Sequence, residues 1–170
     1  MASPRDYKNT IIPNWCPGCG DYGIQNAISA VCAKKGWANE DIPLISGIGC
    51  SSRIGGYQYC YGAHTTHGRA LPFAQGIKCA NKDTHMIVCS GDGDSYAIGL
   101  GHAMHAMKRN MDITYLVFDN QVYGLTKGQT SPASSQGFVT KTTPDDPARC
   151  TIHGHRSRRH LRRSGLCHRW

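Results

Sequence analysis

The hydrophobic pattern predicts two amphipathic helices in the first half of the chain. Helical spacing of apolar residues predicts one helix at about 21–35 and a second from about 69 to 80. The apolar stripe of the first consists of Ile24, Ala27, Ile28, Val31 and Cys32. The largely apolar face of the second consists of Ala70, Phe73, Ala74, Ile77 and Lys78.

Short apolar runs predict strands at residues 44–47, 86–89 and 113–118. A small-residue-rich segment at 96–109 lies between the last two and predicts a helix that ends in basic residues. Strand, helix and strand in this order predict a parallel βαβ unit, so the expected fold class is α/β, a parallel sheet flanked by helices. Residues 49–68 and 126–147 have the composition of loops.

Length and charge separate a globular region from a basic tail. A chain of 170 residues suits one domain with a respectable core. Its net charge is +8, but residues 148–170 hold seven of the 19 basic residues and no acid, which leaves 12 bases and 11 acids in residues 1–147. We therefore predict a domain at 1–147 and an aberrant Arg/His-rich tail at 148–170, frameshifted or disordered; the alternative is a real basic tail that touches nucleic acid.

Nine cysteines occur in a chain without an apolar run long enough to span a bilayer and without a signal-peptide pattern. We therefore expect a cytoplasmic protein in which thiols stay reduced and serve as metal ligands or buried residues. Cys32, Cys79 and Cys89 have the pattern of small core residues, whereas the environment of Cys60 stays open.

Cys16 and Cys19 form a C-x-x-C pair across a Pro-Gly turn, and several uses of such a pair are open. A zinc ribbon would need a second C-x-x-C or a matching His pair, and neither follows in residues 1–147. His64 and His67 form an H-x-x-H, but they lie in a Gly-rich segment next to Arg69. A structural pair without metal and an iron–sulfur site stay possible at this point.

Polar residues follow two of the predicted strands, which suggests a ligand site. Gly91-Asp92-Gly93 follows one strand and Asp119-Asn120 the next, and ligands bind at the carboxyl edge of parallel sheets. Oxygens of Asp92 and Asn120 suit a hard divalent cation, and the following helix N-terminus suits a phosphate. The alternative is an ordinary Asp-Gly turn. A P-loop motif is absent, and Tyr96 stands where a G-x-G-x-x-G would need its third glycine.

The segment GDGDSYAIGLGHAMHAMKRNMDITYLVFDNQVYGLTKGQTSP resembles the thiamine-diphosphate signature. More specifically, it is similar to that of the 2-oxoacid:ferredoxin oxidoreductase beta subunit, most like the 2-oxoglutarate type. The segments NWCPGCGDYG, SGIGCSSR and YGAHTTHGRALPFAQGIK also resemble that family, and the resemblance covers about residues 8–147. It implies the thiamine-diphosphate-binding fold, here C-terminally truncated.

The resemblance also implies cofactor ligands. Asp92, Asn120 and the carbonyl of Val122 would bind Mg²⁺. The diphosphate would be lined by Gly91, Gly93, Asp94 and Ser95. By the same resemblance Cys16, Cys19 and Cys50 match three of the four thiolates that hold a [4Fe–4S] cluster. The fourth lies downstream of the resembling part, and Cys150 and Cys167 in the tail are not assigned to it.

Three further residues are candidates for substrate and cofactor contacts. His67 and Arg69 would help to hold the diphosphate or a substrate carboxylate, the alternative being a loop pair that bonds only to the backbone. Arg53 would pair with the distal carboxylate of a substrate, because a guanidinium binds a carboxylate in a bidentate fork. That pairing favours 2-oxoglutarate over pyruvate, and the alternative is an exposed surface arginine.

The resemblance implies oxidative decarboxylation of a 2-oxoacid to acyl-CoA, with electrons passed through the cluster to ferredoxin. The implied partners are an alpha subunit, which would supply the glutamate that activates thiamine, together with ferredoxin, the 2-oxoacid and coenzyme A. Membrane association is not expected, and nucleic acid is not an expected partner. Two alternatives stay open: a zinc-binding C-x-x-C module with an Arg-rich nucleic-acid-binding tail, and an inactive remnant.

Overall fold

A four-stranded parallel sheet organises the part of the chain that the computed structural model describes, residues 2–135 and 137–144. The strand order is β2-β1-β3-β4, and every neighbouring pair is parallel. The strands are β1 (Leu44–Ser46), β2 (Gly62–His64), β3 (Ile87–Gly91) and β4 (Thr114–Phe118). The three predicted strands and the α/β class are confirmed.

Helices cover both faces of this sheet, as its alternating side chains require. The helices are α1 (Gly20–Lys35), α2 (Ala70–Ala80) and α3 (Leu100–Lys108). Leu44 and Ile87 point to the face where they pack with Ile28 of α1. Ile45 and Val88, one position further along the same strands, pack on the opposite face with residues of α2 and α3. The sheet is therefore buried between two apolar clusters.

The buried face of α1 differs from the predicted stripe. Ile28 and Cys32 are buried, but Val31 is 50% exposed, and the buried face also includes polar residues. Gln25 donates from Nε2 to the carbonyl of Tyr57 at 3.1 Å, which compensates its burial. The buried polar residues of this face are Asp21, Gln25 and Ser29. Hydrophobic periodicity missed this face because side-chain hydrogen bonds, rather than apolar packing, hold part of it.

The buried face of the second helix is also shifted by about one residue relative to the predicted face. Ala70, Ala74 and Lys78 are buried as expected. Phe73 is 49% exposed, and Leu71 takes an inward position instead. Lys78 is buried because its Nζ donates to the carbonyls of Lys82 and Thr84 at 2.8 and 2.7 Å.

The segment 49–68 is not a plain loop, which corrects its prediction. It contains a 3₁₀-helix (Ser51–Gly56) and the edge strand β2. Strand β2 consists of Gly, Ala and His and pairs only with β1, so it carries no alternating apolar pattern. A Cβ at Gly62 would lie 2.5 Å from the carbonyl oxygen of Leu44, so the close approach of the two strands requires this glycine.

The predicted helix at 96–109 is interrupted at Gly99. A π-helical turn (Asp94–Ile98) precedes α3, and Gly99 closes it by donating to the carbonyl of Asp94 at 3.0 Å. Gly99 packs against the backbone of Gly68, since a Cβ at Gly99 would lie 3.3 Å from the Gly68 Cα. Contact between two glycine backbones, which no periodicity records, explains the break.

Beyond the main sheet, residues 122–130 form a small hairpin, whose second strand lies in the segment 126–147 that was predicted as loop. Strands β5 (Val122–Tyr123) and β6 (Gln129–Thr130) pair antiparallel. The predicted tail at 148–170 lies outside the described residues. Within the described ranges, no helix is long and apolar enough to cross a membrane.

Candidate cofactor site at the carboxyl edge of the sheet

Four loops meet at the carboxyl edge, because all four strands of the main sheet run in the same direction. Ser46 at the end of β1 pairs with His64 at the end of β2 and with Cys89 in the middle of β3. The end of β3 pairs with that of β4, Gly91 opposite Phe118. The polar residues predicted to form a site therefore follow adjacent strand ends.

Asp92 is a deeply buried acid of this edge, with 2% of its surface exposed. The Ser131 hydroxyl donates to its Oδ2, and no basic side chain pairs with it within residues 2–135 and 137–144. Burial raises the pKa of the Asp92 carboxyl, and the nearby Asp119 charge raises it further. A buried carboxylate beside a second acid is a position that a cation would stabilise.

Tyr123 closes the loop over Gly93. Its hydroxyl donates to the Gly93 carbonyl at 3.1 Å, and its ring packs directly on Gly93. A Cβ at Gly93 would lie 2.3 Å from Tyr123 Cε1, so this contact requires glycine. Burial raises the pKa of Tyr123, and the charges of Asp92 and Asp94 add to the effect. Tyr123 thus ties the loop after β4 to the loop after β3.

Asn120 and Val122 lie in that same loop after β4. The Asn120 Oδ1 accepts a hydrogen bond from the Val122 backbone N–H at 3.1 Å, and Gln121 between them has a φ of 62°. Both Asn120 and Asp119 are exposed. Carboxylate, amide and carbonyl oxygens are hard ligands of the kind that Mg²⁺ prefers. The buried Asp92, which no basic side chain of the described residues neutralises, and these oxygens are donors of the kind that fit a magnesium diphosphate.

Asp94 and Ser95 make contacts inside the protein. The Asp94 Oδ1 accepts from the backbone N–H groups of Gly68 at 2.7 Å and Ile48 at 3.2 Å. Ser95 accepts a hydrogen bond from the Tyr115 hydroxyl at 2.7 Å. Both serve the packing of the carboxyl edge, and their predicted role in lining a diphosphate stays a prediction.

His67 reaches this edge from the loop after β2. Its Nδ1 lies 2.5 Å from Asp94 Oδ1, and its ring meets the Tyr123 ring edge-on at 5.9 Å between centroids. The neighbouring Arg69 instead bonds through Nη1 to the carbonyls of Gly68 and Ile98 at 3.3 and 3.4 Å. The structure therefore brings His67 to the site, whereas the observed contacts of Arg69 are with the backbone.

Arg53 lies on the exposed side of the 3₁₀-helix after β1. Its Nε donates to the Tyr57 hydroxyl at 3.0 Å, and that hydroxyl donates to Asn14 Oδ1 at 2.7 Å. Arg53 is thereby tied to the segment that precedes the C-x-x-C pair, and its positive charge acts to lower the pKa of Cys50.

Cys16, Cys19 and Cys50 are neighbours in the structure. Cys16 and Cys19 are joined by a backbone hydrogen bond of 3.0 Å across Gly18, whose φ is 79°. The Trp15 indole donates to the Cys50 carbonyl at 2.7 Å. Burial raises the pKa of Cys50, and negative charge on Asp21, Cys16 and Cys19 raises it further.

The three thiols lie near one another, but they are not arranged around a common point. Among the described residues, no three Cys, His, Asp or Glu side chains are arranged to hold a metal ion. Cys16 is exposed, while Cys19 and Cys50 are partly exposed, so all three are reachable. Their role as three cluster ligands, which the sequence resemblance implies, stays a prediction.

Cys50 also borders the loop that carries Asn120. A Cβ at Gly124 would lie 4.0 Å from Cys50 Sγ and 3.4 Å from Asn120 Nδ2. The same cysteine therefore adjoins both the C-x-x-C pair and the candidate cofactor loop.

The other described cysteines divide into buried and exposed ones. Cys32 and Cys89 are buried, at 2% and 0% exposure, which confirms their predicted core positions. Cys79 is exposed, so its predicted core position is wrong; it lies near the end of α2, on the face that turns away from the sheet. Cys60 is partly buried, and burial raises its pKa to about 11.

Two residues of the site were missed by sequence reasoning. Tyr123 packs on Gly93, and Ser131 donates to Asp92. Tyr123 lies directly after Val122 in the recognised segment, and its aromatic ring was a usable signal. Ser131 lies in a polar stretch without periodicity, and Ser134 holds it by accepting from its backbone N–H at 2.8 Å. Nothing in the local sequence distinguishes this serine from its neighbours.

Comparison with known proteins gives concordant matches. Residues 47–154 match the family described as thiamine pyrophosphate enzyme, C-terminal TPP binding domain. The chain is 49% identical over 140 residues to the 2-oxoglutarate oxidoreductase subunit KorB of Mycobacterium tuberculosis, covering 82% of this chain and 38% of that protein. It is 46% identical over 136 residues to the 2-oxoacid:ferredoxin oxidoreductase 2 subunit beta of Aeropyrum pernix, covering 80% and 44%.

A solved structure extends this similarity to the fold. The 2-oxoglutarate:ferredoxin oxidoreductase from Magnetococcus marinus, solved with 2-oxoglutarate, coenzyme A and succinyl-CoA bound, matches with a TM-score of 0.83 at 43% identity. The match covers 85% of this chain and 50% of that one. The chain thus spans about half or less of the length of the relatives described here.

Proposed function

Because the chain belongs to the thiamine pyrophosphate enzymes through their C-terminal TPP binding domain, we propose that it is the cofactor-binding region of a 2-oxoacid:ferredoxin oxidoreductase beta subunit. The assembled enzyme would decarboxylate a 2-oxoacid oxidatively to acyl-CoA, with 2-oxoglutarate favoured. The observation that carries the proposal is the position of Cys50, which adjoins both the C-x-x-C pair and the Asn120 loop.

The residues that would hold thiamine diphosphate and Mg²⁺ are those of the carboxyl edge. Asp92, the Asn120 side chain and the Val122 carbonyl would bind the metal, and the Gly91–Gly93 backbone would face the diphosphate. Bound thiamine diphosphate would supply a nucleophilic carbon and an electron sink. The protein's part is to place that cofactor at the edge of the sheet and to compensate the buried Asp92 charge with Mg²⁺.

Cys16, Cys19 and Cys50 would supply three ligands of a [4Fe–4S] cluster that receives electrons from the thiamine site. The proximity of Cys50 to Gly124 supports a short distance between the two centres. The Trp15 indole, which donates to the Cys50 carbonyl, would hold this ligand in place. Ferredoxin is the proposed acceptor of the electrons, and a cytoplasmic location stays a prediction from the cysteine content.

Arg53, His67 and Arg69 are the proposed substrate and cofactor contacts of this chain. Arg53 is exposed, and its Nε contact with Tyr57 would orient the guanidinium for a substrate carboxylate. His67 lies at the edge beside Tyr123. An alpha subunit would complete the active site, so catalysis is proposed for the assembled enzyme.

A binding titration tests the cofactor assignment. Thiamine diphosphate is titrated into the full chain with Mg²⁺, and the heat of binding is recorded. Asp92→Asn should weaken binding about tenfold or more, because a charged metal ligand is lost. Asp83→Asn, which changes an exposed acid outside the site, is the matched control and should leave affinity unchanged. Equal affinity in the wild type and Asp92→Asn would contradict the assignment.

A further inference from the structure

Asp94 lies at the centre of the carboxyl edge, with 2% of its surface exposed. Its Oδ1 accepts from the backbone N–H groups of Ile48 and Gly68 and lies 2.5 Å from His67 Nδ1. Its Oδ2 accepts from the Ser90 hydroxyl. The carboxylate therefore binds groups that follow β1 and β2 and one at the end of β3. A carboxylate has about four lone-pair sites, so one with four such donors has little accepting capacity left for a metal ion.

The contact with Asp94 determines how His67 is presented. Asp94 Oδ1 already accepts from two backbone N–H groups, and an ionised carboxylate only accepts, so we assign Nδ1 of His67 as the donor of this hydrogen bond. The His67 side chain is 34% exposed, whereas that of Asp94 is 1% exposed. In the described part of the chain, Nε2 makes no hydrogen bond. Nε2 is therefore the nitrogen left for a ligand, in a ring that lies beside Tyr123.

We propose that Asp94 is a positioning residue that holds His67 through Nδ1–H, so that Nε2, protonated in the complex, donates a hydrogen bond to an anionic oxygen at the cofactor edge. That oxygen belongs to the diphosphate of the cofactor or to the carboxylate of the 2-oxoacid. The inference rests on the proposed function for the identity of the anion, but its geometric part concerns only this chain. In this proposal Asp94 orients His67 and does not itself contact the diphosphate.

Glycines around Asp94 leave the space that its carboxylate occupies. A Cβ at Gly47 would lie 1.8 Å from Asp94 Oδ2, and a Cβ at Gly68 would lie 2.6 Å from Ile98 Cγ2. Gly68 has a φ of 71°, which favours glycine, and it follows His67 directly. The backbone is thus shaped so that one carboxylate can reach the His67 ring and the adjacent N–H together.

Nuclear magnetic resonance of the full chain tests the geometric part. With ¹⁵N-labelled histidine and His67→Gln for assignment, long-range ¹H–¹⁵N spectra show which ring nitrogen of His67 carries the proton. We expect Nδ1–H in the wild type and in Ser90→Ala, a control that removes the Oδ2 contact and leaves the Oδ1 contacts in place. Asp94→Ala should lose the Nδ1–H preference. A proton on Nε2 alone in the wild type would overturn the proposal even if Asp94→Ala fails to fold.

Ligand additions identify the anion. Thiamine diphosphate with Mg²⁺ should shift the His67 Nε2 signal if the diphosphate is the partner, and 2-oxoglutarate should shift it if the carboxylate is. No Nε2 shift with either ligand, when calorimetry shows that thiamine diphosphate binds, would overturn the ligand part. Absence of any thiamine diphosphate binding would instead contradict the proposed function, and the protonation state of His67 would still decide the role of Asp94.

A double-mutant cycle on the bound anion separates positioning from general structure. His67→Gln should weaken binding of the identified anion about tenfold or more, as loss of a charge-assisted hydrogen bond does. Asp94→Asn should also weaken it, and the double variant should bind within about twofold of His67→Gln alone. Multiplicative losses in the double variant would show that Asp94 does not act through His67.

Discussion

Substitution of Gly47 tests the packing on which the carboxyl edge depends. In Gly47→Ala the new methyl carbon would lie 1.8 Å from Asp94 Oδ2 and 2.6 Å from its Cγ. The carboxylate cannot retreat easily, because Ile48 and Gly68 bind its other oxygen through backbone N–H groups. Overpacking of this kind costs about 1–3 kcal/mol, and each lost hydrogen bond to a charged group adds about 1.5–3 kcal/mol.

We therefore expect Gly47→Ala to lower the free energy of unfolding by about 3 kcal/mol or more, measured by urea denaturation followed by circular dichroism. For a chain of this size that corresponds to a fall in Tm of about 6–12 °C. Gly101→Ala in α3 is the matched control. No atom outside the backbone of that helix lies within 4 Å of the position that a Cβ at Gly101 would take. Alanine at this helical position should gain about 0.5–1 kcal/mol. A Gly47→Ala chain within about 1 kcal/mol of the wild type would refute the reasoning.

Three further predictions follow from burial and hydrogen bonding. Asp92→Asn should raise the Tm of the metal-free chain at pH 7. Because the pKa of the Asp92 carboxyl is raised in the folded state, its ionisation destabilises the folded wild type. The gain in Tm should vanish below pH 3.8, where the wild-type carboxyl is protonated in both the folded and the unfolded state. Iodoacetamide at pH 8 should label Cys60, with its pKa of about 11, at least about tenfold more slowly than the exposed Cys79, followed by mass spectrometry; equal rates would contradict its burial. Trp15→Phe should cost about 1–3 kcal/mol in denaturant unfolding, since the partly buried Cys50 carbonyl loses its donor, whereas an unchanged stability would show that water replaces the indole.

The sequence predicted the parts of the fold that depend on apolar strands. Strands β1, β3 and β4 are strongly apolar runs, and the βαβ order placed Asp92 and Asn120 at one edge. The edge strand β2 could not be predicted, because three residues paired on one side need no apolar pattern. The break at Gly99 depends on contact with Gly68, which is 31 positions away along the chain, so no local pattern contains it.

The sequence predicted which residues would act as ligands but not the contacts that hold them. The motif resemblance implied Asp92, Asn120 and the three cysteines as ligands, and that assignment stays a prediction. It did not indicate that Cys50 adjoins Gly124, because that contact joins loops after β1 and β4. It also grouped Asp94 with the diphosphate ligands, whereas its hydrogen bonds are made with His67, Ser90 and two backbone N–H groups. Such contacts depend on the order of strands in the sheet, which short motifs do not specify.

Metal and cofactor analysis of one anaerobically purified sample tests the central claim most directly. The full chain is reconstituted with iron, sulfide, Mg²⁺ and thiamine diphosphate, desalted, and analysed for iron, zinc and thiamine. We expect retained thiamine together with iron, with iron lost in Cys50→Ser and retained in Cys79→Ser, the exposed control. Zinc at the cysteines without retained thiamine would contradict the proposed function and favour a zinc-binding module.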